Sequence, residues 1–314
     1  MTDDSRTCPE CGEPVGQTAA YCIHCSADLT GERDAPEGGD VQDAAATSSA
    51  SEATSGSGGS LLRLVGMGLG LTIGGVVLAN VVGVIIVVGL LASGVTVEDL
   101  TGTDQLVISL VSAQGIGFPG IAYAYFRYKG RSLRAFIPVS IPTLRELGIA
   151  LVGWIGVMTL VAIGSVVAVV VTGTEPAENS AEQLAAGNPE ILPVLILASF
   201  LVIGPGEELL FRGVIQGLFR ERVGPAPAIL LATAMFAPLH ITALIGGGLE
   251  PALLTIAIIS LPSIVLGALY EYTDNLVVPS LTHGLNNATV FASLYLFVVA
   301  SNPAGLLTGT VPLL

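Results

Sequence analysis

The stretch "GPGEELLFRG", residues 204–213, sets two carboxylates and a guanidinium at the end of a long apolar run. Ionisable groups in such a setting are costly, and where they persist they are candidates for a functional site. Glu207 and Glu208 are adjacent, so on a helix their side chains diverge by about 100° and should not face the same point. Glu208 and Arg212 stand four apart and can pair on one face, which leaves Glu207 as the freer carboxylate and the better candidate for a base. The competing reading is that all three mark a membrane boundary and lie among headgroups. Two later stretches add further candidates: "FAPLH", from Phe236 to His240, and "HGLNN", with His283 and Asn287 four apart and so on one helical face. A single histidine in a membrane helix is often just an interhelical hydrogen-bond partner. Two histidines, an asparagine and a glutamate spread over three helices can together polarise a water or hold a divalent metal.

The elements that must position them follow from composition. Of 314 residues, 52% are hydrophobic and only 11% charged, with a mean hydropathy of +0.77, which points to an all-α polytopic membrane protein. Seven apolar segments approach or exceed the ~20 residues a membrane helix needs: 61–93, 104–127, 146–173, 190–211, 226–246, 249–270 and 276–300. The last residues add an eighth if they form a short helix. Residues 127–145 and 212–222 carry the Arg and Lys of the connecting loops, whereas 94–104 and 174–190 carry only acids. The positive-inside rule then places the N-terminus and both basic loops in the cytoplasm of a multi-pass cell-membrane protein. About sixteen apolar residues precede Glu207 in its segment, ~24 Å of helix, which puts the glutamates in the cytoplasmic third. His240 lies ~21 Å into the fifth segment but His283 only ~12 Å into the seventh. These depths disagree unless residues 213–230 leave the hydrocarbon or the fifth helix tilts strongly.

All four cysteines fall in "CPECGEPVGQTAAYCIHC", residues 8–25. Two C-x2-C knuckles offer four thiolates, Cys8, Cys11, Cys22 and Cys25, for a structural zinc ion, and so small a module would need the metal to fold. Two disulfides are the other reading, disfavoured in a reducing cytosol. His24 is a bystander if four sulfurs fill the shell. Residues 30–60 lack aromatics and read as a disordered acidic linker. The domains are therefore a cytoplasmic zinc ribbon at 1–29, the linker at 30–60, and a membrane domain at 61–314 with its motif core at 190–300. The formal charge of −14 sits mostly in residues 1–60, which disfavours nucleic-acid binding. The acidic, lysine-poor composition fits a salt-adapted microbe such as a halophilic archaeon. Nothing in the sequence fixes an oligomeric state.

"EELLFRG", "FAPLH" and "HGLNN" match the E-E-x-x-x-R, F-x-x-x-H and H-x-x-x-N/B motifs of the CPBP family, which takes in type II CAAX prenyl endopeptidases and bacteriocin-processing or self-immunity proteins. The resemblance covers roughly residues 100–300; the ribbon and linker lie outside it. It implies an intramembrane peptidase, often classed as a metalloprotease, acting on a protein or peptide near its C-terminus or membrane end, in contact with membrane lipid. Carried over by position, Glu207 would activate the attacking water, helped by His240. His283 and Asn287 would stabilise the oxyanion, or Glu207, His240 and His283 would hold a divalent metal. Glu208 and Arg212 would position the glutamate pair and Phe236 would line the site. The substrate would enter from the membrane or its cytoplasmic face. The alternative from another class is a non-catalytic membrane scaffold or peptide-immunity protein that retains the fold.

Overall fold

A computed structural model describes residues 5–16, 19, 21, 22, 27, 29, 57–244 and 248–301, with side chains from 61 onward in the membrane domain. The linker up to residue 56, Cys25, His24 and the expected eighth helix lie outside the described residues. Among the described residues, seven helices are long and apolar enough to cross a membrane: α1 (Ser57–Ala92), α2 (Gly102–Tyr128), α3 (Leu144–Thr172), α4 (Pro189–Arg220), α5 (Pro225–Ala243), α6 (Leu249–Thr273) and α7 (Val277–Ser301). The protein is a multi-pass, all-α membrane protein with a small N-terminal cysteine cluster. Local chemistry sets the helix ends. Thr143 and Glu146 close a reciprocal capping box at the start of α3, as Thr101 and Asp104 do for α2. Gly173, at φ 72°, ends α3 in the left-handed conformation that glycine adopts without strain.

The helices differ in what they face. In the most apolar part of α1 and of α3 only 11% of residues are buried, whereas in α4 56% are. α1 and α3 thus face lipid, and α4 is the central helix. α1 packs on α2, α3 on α6 and α7, α5 on α6, and α7 crosses α4. The apolar interior is divided. A cluster including Phe126, Phe136, Phe211 and Phe219 fills the end of the bundle that bears the basic residues. A smaller one, with Leu106, Ile191, Leu192 and Tyr295, lies toward the opposite end.

The fourth helix runs well past the expected end of its segment. Residues 210–220 are all buried, so Arg212 lies inside the bundle and not in a cytoplasmic loop. Counted from the ends of α4, Glu207 is ~27 Å from Pro189 and ~20 Å from Arg220. It sits near the middle of α4, and Glu207, Glu208 and Arg212 are all buried within the bundle. The depth mismatch between His240 and His283 also resolves. The turn joining α6 to α7 is itself buried: Asn275 is 1% exposed. Its Oδ1 accepts from the Ser140 amide at 3.2 Å, and its Nδ2 donates to the Ser140 carbonyl at 3.2 Å and to Glu146 at 3.2 Å. The segment before α3 folds over this turn, so α7 begins inside the bundle and a short distance along it already reaches the level of α4's centre.

At the N-terminus, strands β1 (Ser5–Thr7) and β2 (Pro14–Gly16) pair antiparallel. Gly12, at φ 76°, lets its amide reach back to the Cys8 carbonyl at 2.9 Å and closes the first knuckle. The ribbon lies against the basic end of α4: Arg220 Nη2 donates to the Cys22 carbonyl at 3.4 Å. Gly16 approaches Glu221 so closely that a Cβ there would sit 3.0 Å from its Oε1.

Candidate active site

Glu207, Glu208 and Arg212 occupy a distorted part of α4. Residues 199–203 and 209–216 wind as π-turns, and so do residues 111–117 of α2 opposite them. Such turns break the regular helical ladder and often accompany functional positions. The glycines of "GPGEE" explain the close approach of neighbouring chains. A Cβ at Gly206 would collide with the Gln114 carbonyl of α2, and one at Gly204 would lie 2.7 Å from the Ser280 carbonyl of α7. With no side chain at either position, α4 seats directly on both backbones.

That seating brings the carboxylates onto one imidazole. His283 Nδ1 lies 2.8 Å from Glu208 Oε1 and its Nε2 3.7 Å from Glu207 Oε2. The two carboxylates diverge as adjacent helical positions do: Glu208 meets one nitrogen of the ring and Glu207 lies nearer the other, on the cavity side. Arg212 lies behind them, 1% exposed. Its Nη1 donates to Glu208 Oε1 at 3.1 Å, and its Nη2 to the Ser263 carbonyl and hydroxyl at 3.1 and 3.0 Å. Its guanidinium also stacks 4.7 Å from the Phe236 ring centroid. Phe236 contacts both histidines edge-on, at 5.0 Å to His240 and 6.2 Å to His283. It therefore serves as an apolar spacer that sets the two imidazoles.

Glu207, Phe236, His240, His283 and Asn287 all line one cavity of about 1270 Å³, larger than most small-molecule sites. Glu208 and Arg212 are not on its wall. The buried Nδ1 of His240 has no hydrogen-bond partner among the described residues. Asn287 accepts from its neighbour Asn286 at 3.3 Å. Two cavity residues escaped the sequence reading. Gln114 donates to Glu207 Oε1 at 3.1 Å, and Asn286 stands beside Asn287 on the wall. A glutamine inside an apolar run was the only available signal for Gln114, and its partner lies 93 positions away.

These helices coincide with the reach of a known family: residues 189–289 match the family model Rce1-like, described as type II CAAX prenyl endopeptidase. Over this segment the chain is similar to that family. The match runs from the start of α4 into α7 and holds all three motifs, about a third of the chain. No curated protein and no solved structure matches the chain.

Two donor sets bear on metals. Cys8, Cys11 and Cys22 place one sulfur each within 4.8 Å of one another, and the Cys11 and Cys22 sulfurs are 3.6 Å apart. Sulfurs about 2.3 Å from a tetrahedral zinc lie about 3.8 Å from each other, whereas a disulfide closes to about 2.05 Å. The geometry suits a metal-thiolate knuckle and not a Cys11–Cys22 disulfide; the expected fourth ligand, Cys25, is outside the described residues. Among the described residues this is the sole group of three such ligands. Glu207, His240 and His283 do not bring their donor atoms together in that way, so the intramembrane trio is not a ready-made metal site.

Proposed function

We propose that the protein is an intramembrane endopeptidase in which Glu207 activates the hydrolytic water. The observation that carries this reading is the position of Glu207, a carboxylate near the middle of α4, on the wall of a cavity large enough for a peptide, facing His283. The match of residues 189–289 to the Rce1-like family supports it. Glu207 takes a proton from a water held between its carboxylate and His283 Nε2, and the hydroxide attacks the peptide carbonyl. Glu207 then returns the proton to the leaving amine as the tetrahedral intermediate collapses, so charge and protons balance. General-base action of this kind contributes about 10²–10⁴-fold.

Glu208 and Arg212 hold His283 in orientation from behind the wall. Gln114 fixes the other side of the Glu207 carboxylate. His240 and Asn287 face the same cavity from α5 and α7 and supply donors for the oxyanion, each worth about 10²–10³-fold in rate. The ribbon cysteines hold a structural metal, with zinc the ion best suited to thiolates.

The test is hydrolysis of single-span peptides by purified wild type beside Glu207→Gln, with matched folding. Loss of at least ~100-fold in kcat in the glutamine variant is expected. Equal rates in the two proteins would remove Glu207 from the chemistry, and no cleavage of any peptide by the wild type would favour a scaffold role.

A further inference from the structure

We infer that Gln114 binds the substrate itself: the carbonyl end of its side-chain amide accepts the N–H of the peptide bond that is cut, while the amino end holds Glu207. This rests on the peptidase reading above and names the chemical group the site takes, a secondary amide.

Gln114 stands on the cavity wall and is fixed at both ends. α4 seats Gly206 directly on its backbone carbonyl, where a Cβ would collide. One residue further along α4, Glu207 Oε1 accepts from Gln114 Nε2 at 3.1 Å. On the far side of the same turn, a Cβ at Gly117 would lie 2.8 Å from the Ala79 Cβ of α1. The π-turn at 111–117 is thus pinned between α1 and α4. A carboxylate only accepts hydrogen bonds, so it dictates which end of the amide faces it. The amide cannot turn over without setting its oxygen against Glu207.

That orientation leaves a deficit. With Nε2 committed to Glu207, Gln114 Oε1 is buried and has no partner among the described residues. Ser112 and His240, also on the wall, each carry a buried polar atom in the same state. A hydroxyl or an imidazole nitrogen can serve as donor or acceptor, but an amide oxygen only accepts. Gln114 therefore calls for a donor. Each non-proline residue of a peptide brings one, its backbone N–H. In a cavity with apolar walls an entering N–H needs an acceptor as much as this oxygen needs a donor.

Covalent geometry puts the contact at the reacting bond. The oxygen and nitrogen of the Gln114 amide share one carbon, so an N–H held by Oε1 sits beside the carboxylate held by Nε2. That places the leaving nitrogen next to Glu207. When the C–N bond breaks, its electron pair takes the proton that Glu207 carries. The nitrogen's original hydrogen stays directed at Gln114, and the product is a neutral amine. The water lies at the other carboxylate oxygen, where Oε2 is 3.7 Å from His283 Nε2. One amide thus couples the arrival of substrate to the alignment of the base.

The test is a backbone ester scan with the full chain in detergent. Each labelled single-span peptide of the set has one amide replaced by an ester, which removes one N–H and keeps every side chain. Anisotropy on Glu207→Gln protein reads binding without turnover, and the new glutamine keeps an acceptor oxygen for Gln114. One position of the scan should bind about tenfold more weakly than the all-amide peptide. Mass spectrometry should show that wild type cuts the all-amide peptide at that same bond. Glu207→Gln/Gln114→Met should lose the weak position, with the other positions as internal controls for folding. Glu207→Gln/Gln114→Glu exchanges donor and acceptor within the pair, leaves an oxygen for the peptide, and should restore it. A scan with no weak position at the cut bond, or a weak position that Gln114→Met leaves in place, overturns the inference. A weak position that depends on Gln114, with no cleavage by the wild type, would sink the peptidase reading and keep the contact. Cleavage by the wild type over a flat scan would do the reverse.

Discussion

Arg212→Met removes a buried cation and leaves Glu208, whose side chain is fully buried, without its guanidinium. Breaking a buried pair from one side costs about 3–5 kcal/mol, because the surviving charge stays desolvated. Two features of the site locate the value within that range. His283 Nδ1 remains 2.8 Å from Glu208 Oε1 and compensates part of the charge, which pulls the loss downward. Against this, Glu208 Oε2 already lacks a partner among the described residues, and Ser263 loses two hydrogen bonds. We expect about 4 kcal/mol, a fall in Tm of roughly 10 °C for a domain of this size. Trp154, the only tryptophan, makes the assay direct. Its indole donates to Thr289 at 3.1 Å between α3 and α7, so its emission follows the opening of the bundle in a thermal or SDS titration. The decisive comparison is Glu208→Gln/Arg212→Met, which deletes both charges. Replacing an entire buried pair by neutral groups is often nearly neutral, so the double variant should recover most of the loss. A single variant within ~1 kcal/mol of wild type, or a double variant as unstable as the single, would refute the reasoning. Either outcome would mean that water reaches the pair and that it is not held in a dry core.

Two further outcomes follow from the ends of the molecule. Purified protein should carry a stoichiometric metal, read by elemental analysis, and Cys11→Ser should lose it and lower the Tm, because the ribbon rests on Arg220 and Glu221 at the end of α4; intact metal content in that variant would exclude Cys11 as a ligand. At the other end, the Glu182 carboxyl is held above its ordinary value, first by burial and then by Glu178, so the folded state retains a proton that the unfolded state releases. Stability should therefore be highest below the unfolded carboxylate pKa, about 4.3, and decline as pH rises through the raised folded value. Glu182→Gln should flatten that slope and be the more stable protein at neutral pH; an unchanged slope would show that Glu182 is hydrated.

What could be read from the sequence, and what could not, divides along the range of the interactions. The seven spans were legible because each is a run of local hydropathy, and the bilayer sets its length. Glu207, Glu208, Arg212, His240, His283 and Asn287 stood out because ionisable or amide side chains are conspicuous against an apolar background. The end of α4 was misread for the same reason. Arg212, Gln216 and Arg220 look like the start of a polar loop when only neighbours along the chain are counted. In the fold, Glu208 and Ser263 take Arg212, while Glu271 takes both Gln216 and Arg220 at 3.1 and 2.7 Å. Those partners lie mostly on α6, 51 and 55 positions away, and no local window contains them. The position of His283 was obscured in a similar way. Its depth depends on Asn275 being buried under residues from before α3, 135 positions upstream, a contact invisible to any count of residues along α7. Gly204 and Gly206 connect the two scales. In the fold each marks a place where another backbone passes too close for a Cβ. A glycine flanking an intramembrane carboxylate is thus evidence that a second chain segment, here Gln114 on one side and Ser280 on the other, is pressed against the site.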